Sequence, residues 1–315
     1  MLRSTMSTQS KEDQLQLQEG YLGGNHDDYA IIKASGTTLR DYLQGQITQD
    51  IRRLTTSQGI YSAVLTPQGK MVADMHIIHG HADTLIIIVR KACAEPLVGR
   101  LRQFALGHEL RIGMVDSLKL MSIQGKRCDD FLKLHNLPVP DSSHLSSAAA
   151  VGRELFIIRM AEAADDGIWV ITDDTEAIGE LIDAPSIQAA RILKGIPTFG
   201  IDWDEKVLPL NANLMELDGV SFDKGCYVGQ EVTSRMQWRG GIKKRLYRVE
   251  LESFPAELPS PISTTVEIGS ITSAAANAEG VVHGIAHLPI AIVESASPMI
   301  DANGDSIRII EICHV

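Results

Sequence analysis

The chain has 315 residues, 44% hydrophobic and 22% charged, a composition that supports a buried core and excludes a protein disordered throughout. That length predicts about two domains. A net charge of −11 argues against broad binding to nucleic acid or membrane surfaces, so neither is expected as a direct partner, and only a local basic patch stays open.

Residues 1–24 begin "MLRSTMSTQSKEDQLQLQEG" and contain no apolar stretch of the secretory type. They are read as a flexible tail on a cytoplasmic protein. No apolar run approaches a membrane span, and Leu85 to Val89 is a strand-length core segment. Cys93, Cys128, Cys226 and Cys313 are scattered without a CxxC pair. Reduced thiols are therefore expected, with neither a disulfide framework nor structural zinc.

The chain then repeats a pattern. "AIIKASGTTLRDYL" and "LKLMSIQGKRCDDFL" each read as an apolar strand, a glycine turn (Gly36, Gly125) and a helix start of the form G-x4-D-aromatic-L. Further on, Gly69 precedes the strand "MVADMHII" and Gly152 precedes "RELFIIRM"; second strands follow in "TLIIIVR" and "GIWVIT". Two related α+β units over about 25–115 and 116–185 are predicted, within a region reaching residue 240. His76, His79 and His81 cluster in "HIIHGH". Strand alternation sets His76 and His79 on opposite faces, so no metal site is expected.

Ala184 to Lys194 has helical spacing and ends at Gly195, with Pro197 beyond. The next twenty residues, "GIPTFGIDWDEKVLPLNANL", predict a long ordered loop of the functional kind. "DKGCYVGQEV" follows at Asp223–Val232. Lys224, or a helix starting within Val228 to Met236, would favour the Cys226 thiolate; the alternative is a small buried cysteine under the turn. Gly225 and Gly229 either let the backbone approach a flat ligand or supply a positive-φ turn. Gln230 and Glu231 offer hydrogen bonds, and a carboxylate suits a ring with two adjacent N–H donors; Glu231 equally suits a first helical turn or a pair with Arg235. Gly240 and Gly241 in "WRGGIKKR" mark a boundary. Short β-like segments over 241–315 then predict a small C-terminal β-barrel or sandwich.

"YLQGQITQDI", "LTPQGKMVADMHI", "RILKGIPTFG", "LPLNANL", "GVSFDKGCYVGQE" and "SRMQWRGGIKKRL" stand in this order over about residues 28 to 313. Together they resemble the YgfZ-type folate-binding proteins, relatives of the glycine-cleavage T-protein, with K-G-C-Y-x-G-Q-E as the hallmark. The resemblance implies an α+β fold: two related α+β domains in a T-protein-like ring arrangement plus a C-terminal β-barrel. It implies tetrahydrofolate or a derivative as ligand. It also implies an accessory role in iron–sulfur cluster assembly or repair, with client or assembly proteins as partners and indirect support of tRNA modification. Cys226 is then the functional thiol, with Lys224 beside it; Gly225, Tyr227, Gly229, Gln230 and Glu231 carry over as folate-binding residues. Asp74 is a candidate contact to the pterin or to folate N5. Arg235 opens a basic stretch through Arg248, with Trp238 inside it, that could meet the glutamate tail of a folate, or RNA, or only solvent.

Two departures weaken an aminomethyltransferase reading. T-proteins carry two aspartates where this chain has Ala73 and Asp74, and an acidic, glycine-rich stretch where it has "VGRELFII". A folate-dependent aminomethyltransferase and a module binding RNA or a client protein remain the alternatives.

Overall fold

The computed structural model describes residues 5–8, 11–140, 148–151, 155–159, 167–173, 181–182 and 184–314. The chain divides into two compact units, and each is described by itself. The motif unit comprises Gln16–Ile182 and Asp218–Val232. The C-terminal unit comprises Met1–Leu15, Asp183–Leu217 and Thr233–Val315.

In the motif unit, one sheet has the order β4(Ile60–Leu65), β5(Met71–His79), β6(Leu85–Arg90), β3(Tyr29–Ser35), β7(Arg111–Met114). The other runs β9(Ala148–Val151), β10(Leu155–Arg159), β11(Ile168–Thr172), β8(Lys119–Gln124), β2(Leu22–Asn25), β12(Leu181–Ile182). The first four positions of each sheet come from equivalent places in the predicted repeat. Gly36 and Gly125 both have positive φ, and a Cβ on either would meet a backbone carbonyl, of Glu109 at 2.1 Å or of Gly20 at 2.6 Å. Gly152 lies outside the described residues. The fifth position breaks the parallel: β7 comes from the end of the first repeat, whereas β2 precedes both.

Strand periodicity sorts the cores. Along β5, Met71, Ala73, Met75 and Ile77 are buried on one face. With the exception of Met71, they join one core with Leu43 of α2(Leu39–Gln44) and Leu97 of α3(Lys91–Gln103). Asp74, His76 and Ile78 take the other face, where Ile78, Ile86 and Ile88 meet Phe156, Trp169 and Ile171 of the second sheet. The second sheet packs its far side on Phe131 and Leu132 of α4(Cys128–Leu134). β6 is buried on both faces, which explains its unbroken apolar run "LIIIV".

In the C-terminal unit, β1(Thr5–Thr8), β15(Glu267–Ala276), β16(Val282–Pro289), β13(Lys244–Leu251) and β17(Ile307–Ile312) lie in that order, and β14(Ser260–Ser263) pairs with β15. The expected barrel is not closed by continuous strand pairing: the strand order is open, and isolated bridges Ser263–Ile300 and Ile300–Ser306 link β14 to the start of β17. The expected flexible tail also differs from the structure. Thr5–Thr8 pairs in parallel with Ser273–Ala276, and α1(Lys11–Glu19) follows.

The loop after α5(Ala184–Lys194), expected as functional, is a buried brace. Arg191 donates to Asp202 at 2.8 Å, and Asp202 also accepts from Thr198 N, Thr272 Oγ1 and Ser273 Oγ. Asn213 donates to the carbonyls of Leu246 and Cys313 at 2.7 and 2.8 Å. A buried carboxylate with four donors is a satisfied structural group, not one poised for chemistry. Among the described residues, no helix is long and apolar enough to cross a membrane.

Candidate functional site

The motif begins its docking at Asp218. The turn after α2, Gly45–Asp50, serves as its platform. Thr48 Oγ1 donates to Gly219 O at 2.6 Å and accepts from Ala63 N of β4 at 2.9 Å. Gln49 Nε2 donates to Asp218 O at 2.6 Å, and Arg53 forks onto both oxygens of the Asp218 carboxylate at 2.9 Å. Ser221 N donates to Thr48 O and Val228 N to Gly45 O, each at 3.1 Å. Asp50, bonded to Arg52 and Gln44, has its carboxyl held far below the usual carboxylate range, chiefly by the Arg52 hydrogen bond.

Lys224 explains the shape of the loop. It is 7% exposed, and its Nζ donates to Ile47 O at 2.7 Å and Gln49 O at 2.9 Å. Burial pushes its ammonium down from 10.5 to about 8, a depression opposed by the nearby Asp50 charge and reinforced by that of Arg52. Tyr227 is buried too, and Lys224 Nζ lies 5.1 Å from its ring centroid. Two anchored side chains thus flank two exposed residues, Gly225 and Cys226. The sequence alternative of a buried Cys226 is overturned: it is the exposed one of the four cysteines. Burial pushes the Cys93 and Cys128 thiols up to about 11 and Cys313 well above its usual value, so none of those three is poised as a thiolate. The Lys224 ammonium is committed to two carbonyls, so its role here is to hold the loop.

Gly229 docks the far side of the motif. Its φ is +84°, and a Cβ there would meet Thr66 O at 2.6 Å and Leu65 Cβ at 2.8 Å. Gly69, in the β4–β5 turn, faces Val232 equally closely, at 2.7 Å. Gly225 has no such need, since nothing lies within 4 Å of its Cβ position. Gln230 accepts from Tyr227 N at 3.2 Å through Oε1, closing the turn into α6(Gln230–Trp238). Glu231 is exposed in the first turn of α6. Arg235 is exposed as well, and lies beyond Val232 in the other unit.

Asp74 joins the platform through β4, since Ala63, bonded to Thr48, pairs with it in register. Its carboxylate accepts from Tyr61 OH at 2.7 Å. Burial pushes the Asp74 carboxyl up, against the Tyr61 bond and the His76 and Arg90 charges. Asp74 therefore lies in a buried polar box. The His76 ring lies 4.9 Å from Tyr61 and 5.4 Å from Trp169, and Trp169 in turn meets His26 at 5.3 Å and Tyr29 at 5.2 Å. His26 and Tyr29 also line a cleft of about 440 Å³. Ala73 points away into the apolar core, so alanine there leaves the box unchanged.

Sequence reading missed Thr48, Gln49, Tyr61, His76 and Trp169 as site members. The available signals were the polar run "QGQITQD" and the i, i+2 spacing that sets Asp74 and His76 on one strand face. Among the described residues, no group of three or more His, Cys, Asp or Glu could hold a metal ion.

No family model matches the chain. In structure it is similar to the glycine cleavage system aminomethyltransferase T from Bartonella henselae, with a TM-score of 0.83 at 16% identity, over 96% of this chain and 88% of that one. That likeness establishes the fold. In sequence it is similar to the tRNA-modifying protein YgfZ of Photorhabdus laumondii, 28% identical over 70% of this chain and 68% of the relative. The tRNA-modifying protein YgfZ of Escherichia coli O157:H7 is also 28% identical, over 70% and 69%. The YgfZ protein of Hamiltonella defensa is 32% identical over 235 residues, 70% of this chain and 67% of the relative. With the clamped K-G-C-Y-x-G-Q-E loop, a T-protein fold and this level of identity, the chain belongs to the YgfZ family.

Proposed function

We propose that this protein is a tetrahydrofolate-binding accessory factor in iron–sulfur cluster assembly or repair, supporting tRNA modification indirectly. The observation that carries the reading is the exposed thiol of Cys226 on a loop anchored on both sides. A thiol in that position can reach a client protein, a sulfur species or a ligand without the loop rearranging.

The residues present fit a folate in kind. A pterin offers adjacent N–H donors, ring acceptors and a flat apolar face. Asp74 supplies a carboxyl among aromatic rings. Among the described residues, the buried Trp169 Nε1–H has no acceptor and the buried Gln46 Oε1 has no donor. Asp74 and Tyr61 would hold the ring edge, and the Tyr61 hydroxyl would fix where the Asp74 proton sits. Bound folate would supply a one-carbon acceptor or a redox-active ring. The reading carries with it the T-protein-like ring arrangement, a C-terminal barrel-like module and a cytoplasmic location.

Calorimetry with tetrahydrofolate under anaerobic conditions tests the ligand: micromolar binding is expected, and its absence overturns the folate assignment. Cys226→Ser tests the thiol. It is expected to keep folate binding and lose rescue of an iron–sulfur enzyme in cells lacking the protein; full rescue removes the thiol from the function.

One observation favours a second reading, a folate-dependent aminomethyltransferase. Asp74 keeps a raised carboxyl in the box, and the Ala73 departure falls in the core and not in the site. Methylene transfer from an aminomethyl donor to tetrahydrofolate, lost in Asp74→Asn, would establish it.

A further inference from the structure

On α6 the inward side chains are Thr233 and Met236, 1% and 6% exposed. With 3.6 residues per turn, Arg235, Trp238 and Arg239 share the outward face. Trp238 is 73% exposed there, whereas Trp169 and Trp203 are each 1% exposed. From Val232 to Val249 the chain has six Arg and Lys and no Asp or Glu. Three of the six are occupied. Lys244 donates to Ile268 O, Arg245 pairs with Glu216, and Arg248 donates to Leu193 O and pairs with Glu311. Arg235, Arg239 and Lys243 have exposed side chains with no ion-pair or hydrogen-bond partner among the described residues. The acid sharing this helix face is Glu231, one turn earlier.

We propose that this face binds single-stranded RNA, with a base stacked on Trp238 and phosphates met by Arg235, Arg239 and Lys243. An exposed indole is a sequence-tolerant stacking platform, and three cations without internal partners gain by releasing counterions from a phosphate chain. A protein interface centred on Trp238 would need apolar neighbours, and its flanks are Arg235, Gln237, Arg239 and Gly240. The net charge of −11 led the sequence reading away from nucleic acid; the acid-free stretch around Trp238 with three exposed, unpaired cations is a local exception to it.

The test uses the full chain and a fluorescein-labelled twelve-nucleotide oligouridine. Because Trp238 is the exposed indole, its red-shifted emission is expected to be quenched on binding. Trp238→Ala should weaken binding about tenfold or more, and charge reversal at Arg235 and Lys243 should abolish it. The log-affinity against log-salt slope should be about −2 for three phosphate contacts. Since the Trp238 side chain is exposed, Trp238→Ala should retain native circular dichroism and native tetrahydrofolate binding, which separates failure here from failure of the folate reading. Absence of quenching, unchanged affinity in Trp238→Ala, or equal binding of a blunt RNA duplex overturns the proposal. So does a blue shift of Trp238 emission on phosphatidylglycerol vesicles without any response to oligouridine, which would assign the face to an anionic membrane surface.

Discussion

Replacing Lys224 by Met removes the ammonium but keeps most of the volume. Two opposing effects follow. At neutral pH the folded state holds a charged lysine that burial disfavours, and the move from 10.5 to about 8 corresponds to about 3 kcal/mol. That is an upper bound, because the carbonyls of Ile47 and Gln49 both accept from the charged group. Methionine relieves this cost but leaves those two carbonyls, on fully buried residues, without their lysine donor, at about 1–3 kcal/mol each. The net expectation at pH 7 lies between about −1 and +6 kcal/mol of destabilisation in urea unfolding, two losses of about 1–3 kcal/mol against a relief of at most about 3 kcal/mol. A larger effect is expected locally: amide exchange at Ser221 and Val228, whose N–H groups bond the platform, should speed up. The pH dependence has a definite sign. Lys224 releases its proton at lower pH when folded than when unfolded, so the unfolded state binds more protons between about 8 and 10.5. Wild-type stability therefore rises across that window relative to Lys224→Met, by up to about 3 kcal/mol. A neutral amine still has two N–H bonds for the two carbonyls, so the loop survives deprotonation. A flat difference between the two proteins from pH 7 to 10.5, or unchanged exchange at Ser221 and Val228, would refute the idea of a buried tether.

Gly229→Ala should cost about 2–5 kcal/mol in urea unfolding, combining a left-handed φ with a Cβ 2.6 Å from Thr66 O. Gly225→Ala, in open space, should cost under about 1 kcal/mol, and equal losses for the two would sink the docking argument. Asp74→Asn should stabilise the protein at pH 7. The folded Asp74 carboxyl titrates above its unfolded value of 3.8, so wild-type stability falls as pH rises from that value. The gain should vanish below about pH 4, and destabilisation at pH 7 by Asn would show the box prefers a carboxylate. Native protein with a disulfide reagent should show one fast thiol per chain, absent in Cys226→Ser; a second fast thiol would contradict the burial of Cys128 and Cys313.

The sequence by itself determined what depends on neighbours along the chain. The repeated G-x4-D-aromatic-L turns, the two-faced strand "MVADMHII", the helix ending at Gly195 and the thiol within a glycine turn are all set by backbone chemistry and by short periods of apolar residues. The family resemblance could be read for the same reason, since its motifs are contiguous. Tertiary structure decided the rest. Lys224 finds its acceptors 177 and 175 residues away in the chain, and that partnership turns its ammonium to the platform. Asp74 becomes a raised carboxyl because burial in the folded unit outweighs the hydrogen bond from Tyr61 across the ladder. Thr5–Thr8 becomes a strand because Ser273–Ala276 offers it an edge. Each of these rests on strand register and on burial by distant segments, and a local window of residues contains neither.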